Sequence, residues 1–374
     1  MDTYAEKVRE WGGHDPVYLN TAWTVQAGRG ILLWLVACAC AGPIADFYEQ
    51  DILAVLFPVT ALTLVIHGFA STKEATTQKK IMLGRITAIT LGTQVLGIIV
   101  NVVLALILQS VWSLVFGGLV ASTVRMILTH TALPGERNRL AWNSEVFWDL
   151  FHFGKYIMIG SAAGFMVNQG DRAILGKFVT LTDLAVYNIG WMFAALPMTL
   201  SRVLGRRILF PLYAEAPPKE SAANRHNISK VRFAISGGML SVALLLGLIG
   251  DVMIRTLYLP EYHLAGAILV LVAASVAPTI ILSAYGGLLL GSGSSRDFTV
   301  MLIVTATVQT TLLYYGVSAY GLIGAILAPG LAQILVYPLT VFLVRRHGGW
   351  DPRHDGVFAL VAIGIAVIVL LVHP

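Results

Sequence analysis

The chain has 374 residues, of which 57% are hydrophobic and only 12% are charged, and its mean hydropathy is +0.77. Soluble domains carry about 25% charged residues, so this composition excludes a soluble globular protein and indicates an integral membrane protein. The net charge of +5 does not indicate a nucleic-acid partner, because the Lys and Arg residues lie in loops between apolar stretches rather than on one polar domain.

Stretches of about 20 mostly apolar residues recur along the whole chain, which predicts membrane-spanning α-helices rather than the ~10-residue alternating strands of a β-barrel. The predicted fold is therefore all-α, a polytopic membrane protein with about eleven transmembrane helices. Their centres are expected near Leu33, Leu62, Gly97, Leu119, Phe165, Ala195, Leu244, Ala274, Thr305, Leu331 and Ile365.

The basic residues concentrate in alternate loops. One set of loops includes Lys7 and Arg9, the group of residues at 73–85, and the group at 345–353, whereas the loops at 44–51 and 318–321 contain no Lys or Arg. Because short cytoplasmic loops are enriched in Lys and Arg, this pattern predicts a cytoplasmic N-terminus.

An internal repeat predicts two lobes. SVWSLVFGGLV from Ser110 resembles SAYGLIGAILA from Ser318, so spans one to four match spans seven to ten with the same orientation. The predicted lobes are residues 1–143, with about four spans, and residues 144–347, with six spans, followed by an additional span at 348–374. By this pattern the first lobe lacks an opening pair of helices.

The segment FGKYIMIGSAAGFMVNQGDRAILGKFVTLTDLAVYNIGWMFAALP from Phe153 resembles the middle segment of the polysaccharide and oligosaccharide flippases of the multidrug, oligosaccharidyl-lipid and polysaccharide exporter superfamily. LNTAWTVQAGRGILLWLV from Leu19 is similar to the third helix of the exopolysaccharide-exporting branch. Members of that family usually carry two more helices before the equivalent of Leu19, in agreement with the missing pair.

The resemblance implies that a polyprenyl-pyrophosphate-linked oligosaccharide is moved across a bacterial inner membrane, by alternating access between two lobes with binding in the cleft between them. The implied partners are the lipid-linked oligosaccharide, membrane lipids and polysaccharide polymerase or export machinery. No enzyme activity and no cofactor are implied. The chain contains no G-x-x-x-x-G-K motif, so an ATP site is not indicated.

Asp171 and Asn168 interrupt the apolar stretch of the fifth span. Ionisable residues in hydrocarbon are costly and mark functional sites by default. The two residues lie one turn apart on the same helical face, which predicts a cation or proton site for ion coupling. The alternative is that Asp171 and Arg172 neutralise each other near the outer end of the span.

Arg29 lies within the first span, because the apolar run that follows it is too short to cross the membrane unless the helix extends back through Gln26. A guanidinium group suits the bidentate binding of phosphate, so Arg29 and Gln26 are candidate binding residues for the pyrophosphate-linked substrate. The alternative is an arginine that extends to the inner headgroups.

Polar seams in other spans provide further candidates. Gln94 and Asn101 share one stripe of the third span, and Gln333 lies on the tenth. Such residues could line a path for sugars, although hydrogen bonding between helices accounts for most polar residues in membrane bundles.

Three other functions stay open at this point. A drug or small-solute cation antiporter could use the same scaffold, and a chain without its first helix pair could be a non-transporting membrane protein. A membrane glycosyltransferase or polymerase is less favoured, because such an enzyme needs catalytic residues in a substantial outer loop and every predicted outer loop is short.

Overall fold

The structure is a computed structural model that describes residues 16–79 and 83–372, and within those residues it contains helices and turns but no strand. Lys7 and Arg9 lie outside the described residues, so the predicted orientation stays a prediction. The chain divides into two compact units, Met1–Lys155 and Tyr156–Pro374. The predicted lobe boundaries after residues 143 and 347 also stay predictions.

The first unit is built from two helical hairpins. Its helices are α1 (Pro16–Tyr48), α2 (Leu53–Gly68), α3 (Lys73–Lys79), α4 (Leu83–Leu108) and α5 (Trp112–Thr131). α1 packs against α2, α4 packs against α5, and α2 also contacts α5. In each hairpin, the tight turn after the first helix contains one residue with positive φ. These residues are Glu49, with φ 55°, and Gln109, with φ 46°. These short left-handed turns return the chain at once into the next helix.

Two glycines let α1 and α2 approach closely. A Cβ atom on Gly30 would lie 2.6 Å from the Leu64 carbonyl oxygen, and one on Gly68 would lie 3.1 Å from the Gln26 carbonyl oxygen. Small residues at such crossings are typical of membrane helices, because packing rather than hydrophobic burial holds them together in lipid.

The second unit contains long and broken helices. α6 (Ser144–Phe178) begins in the first unit and is followed by α7 (Leu181–Ala194), α8 (Leu196–Leu204), a π turn (Gly205–Leu209), α9 (Phe210–Glu215), α10 (Ala222–Leu257), a 3₁₀ turn (Pro260–Tyr262), α11 (Leu264–Ser275), α12 (Ala277–Gly291), α13 (Ser295–Arg346) and α14 (Pro352–Val372). The chain bends by 44° between α7 and the helix that follows, and by 51° between α11 and α12.

α13 is two helical arms joined at Gly321, which has φ 57° and ψ −136°. The arms fold back on each other, since the backbones of Gly316 and Gly324 are in contact although eight residues along a straight helix would separate them by about 12 Å. Only glycine adopts this Gly321 conformation readily.

The helices agree with a polytopic membrane protein. Six described helices are long and apolar enough to cross a membrane, or eight if each bent pair is one span. All eleven predicted centres fall within helices or at a bend between them. Large apolar side chains such as Leu106 and Leu371 point outward, each with 76% exposure, as expected for surfaces that face lipid.

Candidate functional site

The second unit contains a cavity of about 270 Å³ lined by α6, α7, α8, the α11–α12 junction and both arms of α13. We refer to it as the polar cavity. Its polar lining residues are Asn168, Gln169, Asp171, Arg172, Thr199, Arg202, Ser275, Thr279, Gln309 and Gln333. Three of the residues predicted from the sequence, Asn168, Asp171 and Gln333, are therefore brought to one place.

The cavity lies where the helices are interrupted. Ala195, between α7 and α8, and Val276, between α11 and α12, both line it, as does Pro329 in the second arm of α13. Irregular backbone at membrane depth is tolerated where it lines a cavity, and transporters form substrate sites at discontinuous helices. The position of these breaks therefore marks the polar cavity as the candidate functional site.

Asp171 is almost fully buried, with 2% exposure. Its Oδ2 accepts a hydrogen bond of 2.7 Å from the hydroxyl of Tyr187 on α7, and the Tyr187 ring stacks on Trp191 with 5.9 Å between ring centres. Asp171 Oδ1 is buried without a hydrogen-bond partner. Buried polar atoms are nearly always paired, so this oxygen is a natural acceptor for a proton or a cation.

Asn168 connects α6 to α8. Its side-chain Nδ2 donates to the Gly164 carbonyl at 2.6 Å, and its Oδ1 accepts a hydrogen bond from Arg202 Nη1. Arg202 lies in the last turn of α8, and it is also part of the cavity lining. Asn168 thus bonds to the guanidinium of Arg202 and lies one helical turn from Asp171.

Arg172 also lines the cavity and is held in place by two side chains. Its Nε donates to Asn188 Oδ1 at 2.6 Å, and its Nη1 donates to Gln169 Oε1. The lining contains two arginines, Arg172 and Arg202, and one carboxylate, Asp171, so it carries one excess positive charge. The arrangement favours an anionic or strongly hydrogen-bonding ligand.

Gln309, in the first arm of α13, was not among the predicted site residues. It is 3% exposed, and its Nε2 donates to the Val167 carbonyl on α6 at 2.8 Å. The available signal was an isolated amide within a long stretch of apolar residues and threonines at 301–313. The helical periodicity of the sequence does not distinguish this amide side chain from the threonines around it.

Two of the other predicted binding residues lie together in the first unit. Gln26 and Arg29 line a separate pocket of about 410 Å³ with His67, Glu74 and Arg125. Arg29 is exposed, and Arg125 pairs with Glu74 at 2.7 Å. The Gln26 Nε2 donates to the carbonyls of residues 67, 68 and 70 at 3.1–3.2 Å, so this side chain also caps the end of α2.

Gln94 and Asn101 lie outside these two sites. Gln94 is exposed on α4. The Asn101 Oδ1 is buried without a hydrogen-bond partner and occupies the space that a side chain at Gly117 would fill. Neither residue lines the polar cavity or the pocket around Arg29. We therefore infer that Asn101 serves to pack α4 against α5.

Within residues 16–79 and 83–372, no group of three or more His, Cys, Asp or Glu side chains is arranged to hold a metal ion.

Residues 12–265 match the family described as polysaccharide biosynthesis protein. The chain belongs to this family. It is 20% identical over 338 residues to the teichuronic acid biosynthesis protein TuaB of Bacillus subtilis (strain 168), covering 88% of this chain and 67% of TuaB. It is 23% identical over 252 residues to the amylovoran biosynthesis protein AmsL of Erwinia amylovora, covering 67% of this chain and 65% of AmsL. The family member described here thus spans about two thirds of the length of these curated relatives.

Solved structures show the same fold at low sequence identity. The lipid II flippase MurJ in an inward closed conformation gives a TM-score of 0.69 at 14% identity, over 99% of this chain and 85% of MurJ. An inward-facing multidrug resistance MATE family transporter of the MOP superfamily gives 0.62 at 12% identity, over 88% of this chain and 87% of that chain. The predicted all-α fold and the resemblance to the polysaccharide flippase family are confirmed.

Proposed function

We propose that this polysaccharide biosynthesis family member moves a polyprenyl-pyrophosphate-linked oligosaccharide from the cytoplasmic to the outer leaflet of a bacterial inner membrane, with a cytoplasmic N-terminus. Membership of the family supports a role in polysaccharide production, and the fold shared with MOP-superfamily transporters supports transport. The observation that carries the proposal is a polar cavity at the bends of membrane helices.

The chemistry of the polar cavity suits part of a saccharide headgroup. Amide and hydroxyl side chains, among them Gln309, Gln333 and Thr279, can hydrogen-bond sugar hydroxyls, and Arg202 can bind a phosphate or a carboxylate. At about 270 Å³ the cavity is smaller than the ~300–1,000 Å³ sites of drug-sized ligands. It would therefore hold one portion of the oligosaccharide at a time.

Asp171 is the proposed coupling site. Its unpartnered Oδ1 is available to accept a proton or a cation, whereas Oδ2 is already bound by Tyr187. Because Asp171 and Asn168 lie on one face of α6, and Asn168 binds Arg202, a change of charge at Asp171 acts next to the groups that would bind substrate. In the first unit, Arg29 and Gln26 are proposed to contact the pyrophosphate, with Arg125 as a second cation in the same pocket.

The test is flipping of a fluorescent polyprenyl-pyrophosphate oligosaccharide in vesicles that contain the purified full chain. A reductant added outside bleaches the outer leaflet, so transport is measured as the loss of the protected fraction. We expect Asp171→Asn to abolish this loss and the control Asp183→Asn to preserve it. Asp183 is in the same unit, bonds to Thr180 and lies outside the cavity.

If wild type leaves the protected fraction unchanged but accumulates a cationic dye against an ion gradient, the flippase proposal is wrong and an antiporter is indicated. If wild type flips the lipid and Asp171→Asn does so at the same rate, the coupling role of Asp171 is refuted while the flippase proposal stands.

A further inference from the structure

A second group of ionisable side chains, buried except for the half-buried Tyr337, joins the start of α14 to α10, α12 and α13. It consists of His354, Asp355, Arg232, Tyr285 and Tyr337, and we refer to it as the His–Asp centre. His354 is 0% exposed, Arg232 1% and Asp355 7%. None of these residues lines the polar cavity, so the proposed transport site does not account for them.

Asp355 is the acceptor at the middle of the centre. The Tyr285 hydroxyl donates to its two oxygens at 2.8 and 2.7 Å, and the Tyr337 hydroxyl donates to Oδ2 at 2.9 Å. His354 Nδ1 lies 2.9 Å from Oδ1. An ionised carboxylate, which only accepts, fits all three donors. Asp355 thereby holds helices α12 and α13 to α14.

The His354 imidazole can exist with or without a proton on its second nitrogen. With Nδ1–H donating to Asp355, Nε2 faces the Ser236 hydroxyl on α10 at 2.9 Å. A serine hydroxyl either donates or accepts, so the contact survives in both protonation states. The rings of Phe233 and Phe358 pack edge-on at 5.2 and 4.9 Å and shield the imidazole from other partners.

The charged groups around His354 carry a net negative charge, which one more positive charge would balance. Arg232 donates to the Gly349 carbonyl at 2.8 Å and lies 3.9 Å over the Tyr285 ring. Asp351, in the turn before α14, accepts from the Ser229 hydroxyl at 2.5 Å and from the His354 backbone N–H at 3.1 Å. Partial burial by itself would raise the pKa of Asp351, but these hydrogen bonds outweigh it and hold the pKa below its usual range.

Two carboxylates and one guanidinium therefore give one excess negative charge when His354 is neutral. A proton on the imidazole balances it. The other titratable groups that face the centre are the hydroxyls of Tyr285 and Tyr337 and, beside Arg232, that of Tyr213 on α9. These are neutral hydroxyl groups that donate hydrogen bonds, so the imidazole is the member of the centre that becomes positively charged when it takes up a proton.

A purely structural role explains such a cluster poorly. Buried ionic groups are commonly no more stabilising than apolar residues of the same volume, and ionisable residues within membrane helices are functional candidates by default. We propose that the His–Asp centre is a proton-binding site, with the proton on His354, and that its occupancy controls how firmly α14 is attached to α12 and α13.

The centre shares two helices with the polar cavity. Tyr337 lies one turn beyond Gln333 on the second arm of α13, and Tyr285 follows Thr279 on α12. Movement of these helices when the centre loses its proton would therefore reach the cavity lining. Proton binding at His354 does not depend on the proposed transport function and can be measured without a substrate.

The test is hydrogen–deuterium exchange of the full chain in nanodiscs at pH 6 and pH 8, corrected for the intrinsic exchange rate. If one proton stabilises the attachment, amides at the start of α14 exchange up to about tenfold faster for each pH unit of increase. We expect this dependence in wild type and its loss in His354→Gln, which keeps a side chain able to hydrogen-bond. His226→Gln changes an exposed histidine on α10 and should behave like wild type.

A wild type whose corrected exchange is equal at the two pH values overturns the proposal, and so does a His354→Gln variant that retains the dependence. If His354→Gln does not fold, Asp351→Asn replaces it. Removal of that carboxylate takes away the charge that the proton balances, so the pH dependence should shrink, and an undiminished dependence again overturns the proposal.

Discussion

Replacing Tyr187 by Phe isolates the hydrogen bond that holds Asp171. The hydroxyl donates to Asp171 Oδ2 at 2.7 Å, both residues are buried, and the ring stacks on Trp191, so Phe keeps the packing and removes only the donor. A hydrogen bond to a charged group contributes about 1.5–3 kcal/mol. At about 2–4 °C per kcal/mol for a unit of 150–250 residues, the midpoint of thermal unfolding should fall by about 3–12 °C.

The assay is thermal unfolding of the purified chain in detergent, followed by intrinsic fluorescence. In an Asp171→Asn background the partner is neutral, and a neutral hydrogen bond contributes only about 0.5–1.5 kcal/mol, so Tyr187→Phe should then cost less. Tyr213→Phe is the control, since that buried hydroxyl donates to the neutral Ala284 carbonyl at 3.3 Å. Equal costs of Tyr187→Phe in both backgrounds would refute a charge-assisted bond.

Three further substitutions test packing and the first unit. Gly30→Leu should destabilise the chain by at least about 1–3 kcal/mol through overpacking, because even a Cβ would lie 2.6 Å from a carbonyl oxygen of α2, and thermal unfolding measures the loss. Gly321→Ala should cost about 1–3 kcal/mol in the same assay, because φ 57° with ψ −136° strains any other residue. Arg29→Ala should leave the unfolding temperature unchanged, since Arg29 is exposed, and should reduce lipid flipping in vesicles.

Each of these three substitutions has a control variant. Alanine at Gly28 or at Gly356 meets no atom within 4 Å and should be neutral or slightly stabilising. Arg85→Ala removes an exposed arginine of the first unit that is not in the Arg29 pocket, so flipping should persist. A destabilised Gly28→Ala, a tolerated Gly321→Ala, or equal flipping by Arg29→Ala and wild type would contradict the corresponding prediction.

The candidate site was partly predictable. Asn168 and Asp171 stand out as polar residues in an apolar stretch, and they do line the polar cavity with Gln333. Gln94 stands out equally and is exposed on α4. A polar residue within a span signals only that its side chain needs a partner, and the sequence pattern does not say whether a cavity, a neighbouring helix or a headgroup provides it.

By contrast, the sequence pattern does not single out Arg202 or the residues of the His–Asp centre. Arg202, His354 and Asp355 occur in or next to stretches rich in basic residues, where the inside-positive bias accounts for charge. The structure nevertheless buries His354 and Asp355 and turns Arg202 to Asn168. Their partners, Ser236, Tyr285 and Asn168, lie 34–118 residues away in the sequence, beyond the reach of local patterns.

The apolar composition is sufficient to identify a helical membrane protein, because hydrocarbon imposes a local rule: each span must be apolar over about 20 residues and satisfy its own backbone. Membership of the polysaccharide biosynthesis family follows from similarity over residues 12–265. Which polar groups meet is set by the tertiary structure. That outcome depends on the bends at Ala195 and Val276, the reversal at Gly321 and the rotation of each helix. Packing between distant segments sets these, and the apolar composition of a single span does not encode them.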